Sequence, residues 1–264
     1  MNLGLEGKVA FVSGGSKGIG RACCELLAAE GCKVMVAARG GDAVEQTVAV
    51  LREAGGIASG VVADLTLAQD VQRAVQAARQ LYGSPDIVIT NVHGGQPSDF
   101  LEGDADAFVH NFQSLVMSVV HLARCTVPHM REQGWGRLLT IGTAAAKEPA
   151  SGLNLMAATT ARAAVVTLNK SLADEFAAHG ITVNTLATGW IATGTMLDEV
   201  GRMARERGMA SDAMLARLTK NIPVRRAGDP HEIASLAVYL CSALAGYTTG
   251  CLIPVDGGSH RSAW

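Results

Sequence analysis

Apolar residues fall into two kinds of segment that alternate along the chain. Short runs rich in Val and Ile are apolar on both faces and span residues 9–12, 33–37, 57–62, 87–90, 137–141, 182–186 and 251–255. Longer segments with apolar residues three and four positions apart lie between them, at 20–30, 42–54, 67–82, 104–133, 157–178 and 231–240. Such alternation is typical of a parallel sheet covered by helices on both faces. The pattern predicts an α/β fold, a single Rossmann-type doubly wound domain over residues 1–264.

One segment with a helical pattern, residues 196–221, interrupts this alternation just before the last predicted helix. It carries four methionines, Met196, Met203, Met209 and Met214. Because methionine side chains adapt to varied apolar ligands, we expect this segment to form a small helical lid over a substrate. An ordinary helical hairpin is the alternative interpretation.

Composition and charge narrow the class of protein. The chain has 264 residues, 48% of them hydrophobic, and a formal net charge of −2. That length suffices for one well-buried core. Lys and Arg form no stripe, so nucleic acid is not an expected partner. No uncharged apolar run reaches about 18 residues and the N-terminus lacks a signal-peptide layout, so we expect neither a membrane span nor secretion.

Six cysteines are scattered along the chain, mostly among apolar residues: Cys23, Cys24, Cys32, Cys125, Cys241 and Cys251. We interpret them as buried, reduced side chains, which predicts a cytoplasmic protein. Their spacing matches no metal-ligand pattern, so no metal is expected.

The loop after the first predicted strand carries the most specific chemistry. It contains four glycines and leads directly into the first predicted helix. Backbone amides and the positive end of a helix dipole at such a turn suit a pyrophosphate. The residues expected to hold a dinucleotide here are Gly14, Ser16, Lys17, Gly18, Ile19 and Gly20.

Further short segments match one family along nearly the whole chain. They are Asp64-Leu65, Asn91, Pro128-His129-Met130, Gly136-Arg137-Leu138, Lys170-Ser171-Leu172-Ala173, the segment 179–184, Gly189-Trp190-Ile191 with Thr193, and Val255-Asp256-Gly257-Gly258. With residues 13–20, these segments resemble the short-chain dehydrogenase/reductases, most closely the β-ketoacyl carrier-protein reductases. The resemblance implies a nicotinamide cofactor held by Asp64, Leu65, Asn91, Arg162, Gly189, Ile191 and Thr193. Asp64 could instead cap a helix.

The end of the second predicted strand favours one nicotinamide cofactor over the other. It reads Val36-Ala37-Ala38-Arg39 and carries no carboxylate. In nicotinamide-binding folds an acidic residue there binds the ribose hydroxyls, whereas an arginine meets the 2′-phosphate. Arg39 and Lys17 therefore predict NADP(H). Arg39 as a solvated charge at the strand end is the alternative.

The family's catalytic chemistry uses Tyr, Lys, Ser and Asn, and here the resemblance breaks down. Counted back from Lys170, the Lys position is Arg162 and the Tyr position is Ala158. Counted forward from the Ser position, Thr143, they are Thr160 and Met156. We prefer the first register because it lies within one uninterrupted helix. Neither register supplies a tyrosine.

Two further positions differ from the family. The Asn position is Leu115. Asn111 lies one helical turn earlier and is an alternative that could reach into the site, although an exposed helical Asn is the default expectation. His93 replaces a glycine after the fourth strand, either as a new acid–base group or as a packing residue. Arg162 can bind ribose hydroxyls but never deprotonates. Thr143, Arg162 and His93 are the candidate catalytic residues.

Three functions remain open at this point. The first is an NADP(H)-dependent oxidoreductase that acts on a carbonyl or hydroxyl group of a small hydrophobic or acyl substrate. The second is a catalytically silent subunit paired with an active homologue, and the third is a non-redox reaction of the lyase, isomerase or dehalogenase type. The family's assembly implies a homo-oligomer, a dimer or tetramer formed through 104–133, 157–178 and the C-terminal tail. The pocket walls are expected at 93–100, 144–155 and 196–214.

Overall fold

The protein is described here by a computed structural model that covers residues 2–94, 100–101, 104–149 and 154–262. Its strands are β1 (Val9–Ser13), β2 (Lys33–Ala38), β3 (Ile57–Val62), β4 (Ile87–Thr90), β5 (Gly136–Thr143), β6 (Ile181–Thr188) and β7 (Leu252–Val255). They form one parallel sheet in the order β3-β2-β1-β4-β5-β6-β7. The strand order reverses between β1 and β4, which is where doubly wound folds bind ligands. The predicted α/β doubly wound fold is confirmed.

Helices cover both faces of the sheet. They are α1 (Gly18–Ala29), α2 (Gly41–Glu53), α3 (Ala68–Tyr82), α4 (Asp106–Asn111), α5 (Ser118–Gln133), α6 (Met156–Phe176), α7 (Gly194–Glu206), α8 (Ser211–Thr219) and α9 (Pro230–Leu240). A π-helical segment, Phe112–Met117, joins α4 to α5. The single helix predicted over 104–133 therefore carries a change of helical type, which apolar periodicity does not reveal.

Two apolar clusters lie on opposite faces of the sheet. Val12 and Ile89 point into the cluster that includes residues of α1 and α9, whereas Phe11 and Val88 point into the cluster that includes residues of α3 and α5. Successive strand residues point to opposite faces, so burial of both faces requires continuous apolar runs. This burial explains the Val- and Ile-rich runs of the sequence.

Four of the six cysteines follow the same pattern of burial, whereas Cys125 is half-buried and Cys251 is exposed, so the prediction of a buried side chain is wrong for Cys251. Cys23, Cys24, Cys32 and Cys241 are buried in the first cluster, and all six cysteines are free thiols. Burial raises the pKa of the Cys23 and Cys32 thiols to about 12. A thiol with so high a pKa is not a nucleophile at neutral pH, so these side chains act as small apolar residues. None of the described helices is both long enough and apolar enough to cross a membrane.

The segment predicted as a lid folds into α7 and α8. These helices share a small apolar cluster of their own, built on Val200, Ala204 and Met214, with Met203 and Met209 packed against it. The hairpin follows β6, at the same edge of the sheet as the glycine loop. It is therefore positioned beside the switch point with a core separate from that of the sheet.

Candidate active site

The glycine loop after β1 is packed so tightly that three of its positions accept only glycine. Gly14 and Gly18 have φ angles of +58° and +53°. A Cβ atom on Gly14 would lie 2.1 Å from the carbonyl oxygen of Asn91, and one on Gly20 would lie 2.2 Å from the carbonyl oxygen of Gly14. Such approaches exclude every larger side chain. The loop is therefore a backbone surface that faces the end of β4.

Neighbouring elements hold this loop in position. The Asn91 backbone N–H donates to Ser13 Oγ at 2.9 Å, and Asn91 Nδ2 donates to the Gly14 carbonyl at 3.4 Å. Thr47 Oγ1 of α2 donates to the Ser16 carbonyl at 3.1 Å. A Cβ atom on Gly18 would lie 2.9 Å from Thr193 Cγ2. The structure thus brings the predicted cofactor residues after β1, β4 and β6 together at one place.

The start of α1 is suited to an anion. Lys17 occupies the N-cap position, no side chain caps the helix there, and its first turn contains no acidic residue. Unsatisfied backbone amides at a helix N-terminus attract phosphate groups. Ile19 lies in this first turn and packs against the first apolar cluster.

Two cations lie beside this loop. The side chains of Lys17 and Arg39 are exposed. The ion pairs found within the described ranges involve neither of them. Arg39 directly follows β2, and α2 begins two residues later without a side-chain cap. The arrangement can receive a phosphate group, although exposed Asp42 in the first turn of α2 places one carboxylate nearby.

Asp64 and Leu65 lie after β3 and have structural contacts of their own. Asp64 Oδ1 accepts a hydrogen bond from the Thr66 backbone N–H at 3.0 Å, and Leu65 is buried in the second apolar cluster. The N-cap of α3 is Leu67, so the alternative interpretation of Asp64 as that helix cap is wrong. Asp64 instead stabilises the turn that precedes the helix.

The segment after β6 contains the remaining predicted cofactor residues. A Cβ atom on Gly189 would lie 2.9 Å from Asp256 Cα, so the backbone passes closely there. Ile191 is buried and forms an isolated β-bridge with Gly228. Thr193 Oγ1 accepts a hydrogen bond from the Met196 backbone N–H at 3.3 Å and caps α7. These contacts fix the start of the α7–α8 hairpin beside the loop.

Thr143 and Arg162, two of the predicted catalytic residues, line one narrow cavity at the ends of β4 and β5. Thr143 Oγ1 donates to the Thr188 carbonyl at 3.4 Å and accepts from the Ala145 backbone N–H at 3.3 Å. Arg162 Nη2 donates to the Val92 carbonyl at 3.5 Å. Within the described part of the chain no carboxylate pairs with Arg162, and burial lowers the pKa of its guanidinium. The cavity therefore contains a cation without a counter-ion.

The Tyr position of the preferred register, Ala158, is buried and lies close to the chain at Gly94. An ideal Cβ atom on Gly94 would lie 3.0 Å from Ala158 Cβ, 3.5 Å from Asn111 Oδ1 and 3.7 Å from Arg162 Nη2. The chain after β4 therefore packs directly against Ala158. Thr160, the Lys position of the other register, is exposed. The geometry supports the register that places Arg162 in the site.

Asn111 belongs to this cluster, which was the less favoured alternative of the sequence analysis. It is the last residue of α4 and is only 2% exposed, so the default expectation of an exposed helical Asn is wrong. Its Nδ2 donates to the Ala107 carbonyl at 2.8 Å. A π-helical segment, Phe112–Met117, begins directly after Asn111, and apolar periodicity does not reveal such a change of helical type. Leu115, the position reached by counting, is buried and lines the cavity.

His93 is placed differently from the other candidates. Its side chain is exposed, and Nδ1 is hydrogen-bonded to the carbonyl of Gly94. It is not among the residues that line the cavity. The structure brings Thr143 and Arg162 together but leaves His93 outside, at the rim. Of the predicted pocket walls, residues 95–99 and 150–153 lie outside the described residues.

Comparisons with known proteins find relatives along nearly the whole chain. Residues 14–260 match a family model described as enoyl-(acyl carrier protein) reductase. The chain is 36% identical over 253 residues to the short-chain reductase protein NovJ of Streptomyces niveus, covering 95% of this chain and 93% of that protein. It is 31% identical over 258 residues to the 3-oxoacyl-(acyl-carrier-protein) reductase FabG of Haemophilus influenzae, covering 98% and 100% of the two chains.

A solved structure also matches over almost the full length. It is a short chain oxidoreductase from Pseudomonas aeruginosa PAO1 with NADPH bound, described as containing an atypical catalytic center. The TM-score is 0.87 at 32% identity, and the match covers 97% of this chain and 98% of that one. From the matched family model and these relatives, the chain belongs to the short-chain dehydrogenase/reductase family, with FabG-type reductases among its relatives.

Proposed function

We propose that this protein is an NADP(H)-dependent oxidoreductase that acts on a carbonyl or hydroxyl group of a small hydrophobic or acyl substrate through an atypical active site. The observation that carries the proposal is the glycine loop. Its backbone meets Asn91 and Thr193, at positions where a Cβ atom would collide with the neighbouring strand end. The loop packs closely and leaves the backbone amides at the start of α1 without a side-chain cap. Because such amides bind a pyrophosphate, the residues present fit a dinucleotide.

The charges near the loop support NADP(H) over NAD(H). Lys17 and Arg39 are exposed cations on adjoining segments, and no carboxylate ends β2. Gly14, Ser16, Gly18, Ile19 and Gly20 would hold the pyrophosphate side, and Arg39 with Lys17 the 2′-phosphate. Asp64, Leu65, Asn91, Gly189, Ile191, Thr193 and Arg162 would hold the remaining parts. When bound, the nicotinamide group supplies or accepts the hydride.

Thr143 and Arg162 have different roles toward the substrate oxygen. The Thr143 hydroxyl, at the mouth of the cavity, donates a hydrogen bond to the carbonyl oxygen. The Arg162 guanidinium binds ribose hydroxyls and keeps a positive charge beside the oxygen, where negative charge develops. Because Arg162 stays protonated, the proton of the product alcohol comes from His93 or from water.

The α7–α8 hairpin serves as the lid over an apolar substrate. Met196 is half-buried close to Thr193, and the hairpin's own core contains further methionines. Flexible, polarizable side chains of this kind shape pockets for hydrophobic ligands. A small hydrophobic or acyl group therefore fits this side of the site.

Assembly and location follow from the surface and from the thiols. Val109 of α4 and Phe112 of the π-helical segment are 69% and 47% exposed, so apolar side chains remain uncovered on the helices expected to form the subunit interface. This favours a homo-oligomer, a dimer or tetramer, which light scattering of the eluted protein measures directly. The free thiols suit a reducing cytoplasm.

Arg39 provides the sharpest test of the cofactor. Arg39→Gln should weaken NADPH binding about 10- to 100-fold, the contribution of a charged hydrogen bond to the 2′-phosphate, and should leave NADH binding unchanged. Lys33→Gln is the matched control, because Lys33 begins the same strand at its opposite end. Fluorescence titration with both nucleotides measures the effect. Equal losses for NADPH and NADH, or no NADPH binding by the wild type, would contradict the proposal.

One observation favours a second candidate, a catalytically silent subunit. Gly94 packs against Ala158, so the position of the family's tyrosine is closed rather than refilled by another acid. A subunit kept for assembly with an active homologue would tolerate such a change. Purification from the native source distinguishes the two, because a homologue that co-elutes in fixed ratio supports this candidate and a homo-oligomer opposes it.

A further inference from the structure

Three threonines form a row across the sheet beneath the candidate active site. Thr90 ends β4 and pairs in register with Thr140 of β5, which pairs in turn with Thr185 of β6. Residues in register on neighbouring strands point to the same face of a sheet. All three side chains are buried. We call Thr90, Thr140 and Thr185 the threonine row.

Asn169 of α6 is bonded to two members of the row. Its Nδ2 donates to Thr140 Oγ1 and to Thr185 Oγ1, each at 2.9 Å. An amide nitrogen has two protons, so both are used, and each hydroxyl keeps its own proton as a donor. Among the residues that the structure describes, none accepts that proton from either threonine, and none bonds to the Thr90 hydroxyl.

The side chains of the threonine row border a narrow cavity under the site. The threonine row, Thr143 and Arg162 line it, and Leu115 and Val165 contribute apolar walls. Its volume is about 10 Å³, close to the minimum that holds one water molecule. A buried water needs two to four polar partners, and the row together with Arg162 supplies them.

We propose that this cavity binds one ordered water and that this water is the proton source of the active site, a role that rests on the oxidoreductase function proposed above. The water accepts from the hydroxyls of Thr140 and Thr185, which use both of its lone pairs, and it lies beside the Arg162 guanidinium with its own protons left for donation. Asn169 is a positioning residue, because it orients two of the hydroxyls that hold the water. His93 then has no part in proton transfer.

The step balances with a reduced nicotinamide as the hydride donor. Hydride bonds to the carbonyl carbon, and the carbonyl π electrons move to the oxygen. That oxygen takes the Thr143 hydroxyl proton while Thr143 takes a proton from the cavity water. The hydroxide left behind is stabilised by the permanent charge of Arg162 until a solvent proton neutralises it.

The test compares Thr185→Val with Thr185→Ser and with Thr182→Val. The valine removes the hydroxyl at nearly constant size, and the serine keeps it. Thr182 is buried in the same strand, three residues away and outside the cavity lining, so it controls for loss of any buried strand hydroxyl. For each protein the measurements are NADPH affinity, KM, kcat, the solvent deuterium effect on kcat, and melting temperature.

Thr185→Val should lower kcat about 10-fold or more, since positioned proton donors contribute at least that much, with NADPH affinity and KM within about twofold. Thr185→Ser should retain most of kcat, and Thr182→Val should retain all of it. Unchanged kcat in a folded Thr185→Val protein would overturn the inference.

A crystal structure of the wild-type protein separates this inference from the proposed function. Electron density for a water within hydrogen-bond distance of Thr140 and Thr185 is the expected result, and it does not depend on turnover. An empty cavity overturns the inference even in an active enzyme. A wild-type protein that reduces no carbonyl compound overturns the proposed function and, with it, the water's role as proton donor.

Discussion

At the scale of single residues, the proposed site has a fixed charge and a hydroxyl in place of a titrating pair. The register counted from Lys170 puts Arg162 at the family's lysine position, and its planar guanidinium stays protonated at every pH of interest. Ala158 contributes a methyl group that packs against Gly94. Charge stabilisation can therefore remain while proton transfer must use another group, which is the reason Thr143 and water enter the account.

Restoring the tyrosine should not restore the family's usual chemistry. Ala158→Tyr must displace the chain at Gly94, whose Cβ position lies 3.0 Å from Ala158 Cβ. Overpacking of this kind costs about 1–3 kcal/mol, so the free energy of unfolding should fall by about that amount without a gain in kcat. Denaturant unfolding and turnover assays measure both quantities.

The control for this variant is Thr160→Tyr. Thr160 is exposed on the same helix, so its replacement should change the free energy of unfolding by no more than about 0.5 kcal/mol. An Ala158→Tyr protein that is as stable as the wild type and more active would show that a phenol fits beside Gly94.

Asp256 should make stability depend on pH in the acid range. Burial alone would raise the pKa of its carboxyl, but hydrogen bonds from the His260 and Gly258 backbone N–H groups, with the His260 side chain, hold it below its usual value. The resulting stabilisation is present above the unfolded pKa, about 3.9, and is lost as pH falls below it.

Asp256→Asn removes this titration and is the comparison to make. Urea unfolding measured from about pH 6 down to about pH 3 should show a steeper loss of stability for the wild type below about pH 4 than for the variant. If stability falls with pH in parallel for the two proteins, the Asp256 carboxyl has the same pKa in the folded and unfolded states, which would contradict this prediction.

At the scale of elements, the α7–α8 hairpin is the part most independent of the rest. Its apolar cluster is separate from the two that cover the sheet, and Met214 at its centre is only 1% exposed. An element with a small apolar core of its own needs less free energy to open locally than the main core does. Such local opening is what a lid over a substrate requires.

Met214→Ala should loosen this hairpin alone. Removal of a buried methionine side chain costs about 2–5 kcal/mol, more than a core of three buried residues is expected to tolerate. Amide hydrogen exchange should accelerate in α7 and α8 and stay unchanged in β1, β4 and β5. Faster exchange throughout the sheet would instead mean that the hairpin and the sheet unfold together.

At the scale of the whole molecule, the fold could be predicted from the sequence. Both faces of the sheet are buried, so its strands must be continuous apolar runs, and these are visible in the sequence. Gly14, Gly18, Asn91 and Thr193, which the sequence predicts to lie at one site, do meet in the structure. Their role in holding a cofactor stays a prediction. The burial of Asn111 was not expected, and the π-helical segment that begins at Phe112 is likewise not visible in the apolar pattern of the sequence.

The contact between Gly94 and Ala158 could not be predicted from the sequence either, because the path of the chain after β4 produces no periodic pattern of apolar residues. The threonine row appears in the sequence only as three separate strand residues. Their alignment depends on the register between strands, which is set in the folded sheet.

The proposed function requires hydride transfer in a site that has no tyrosine, and one isotope measurement tests for this transfer directly. The protein is incubated with NADPH deuterated at the transferable position of the nicotinamide, together with a panel of hydrophobic ketones and β-ketoacyl thioesters. We predict deuterium at the former carbonyl carbon of a product alcohol, at a rate that Thr143→Val lowers about 10²-fold. Bound NADPH that transfers no deuterium to any member of the panel would contradict the account.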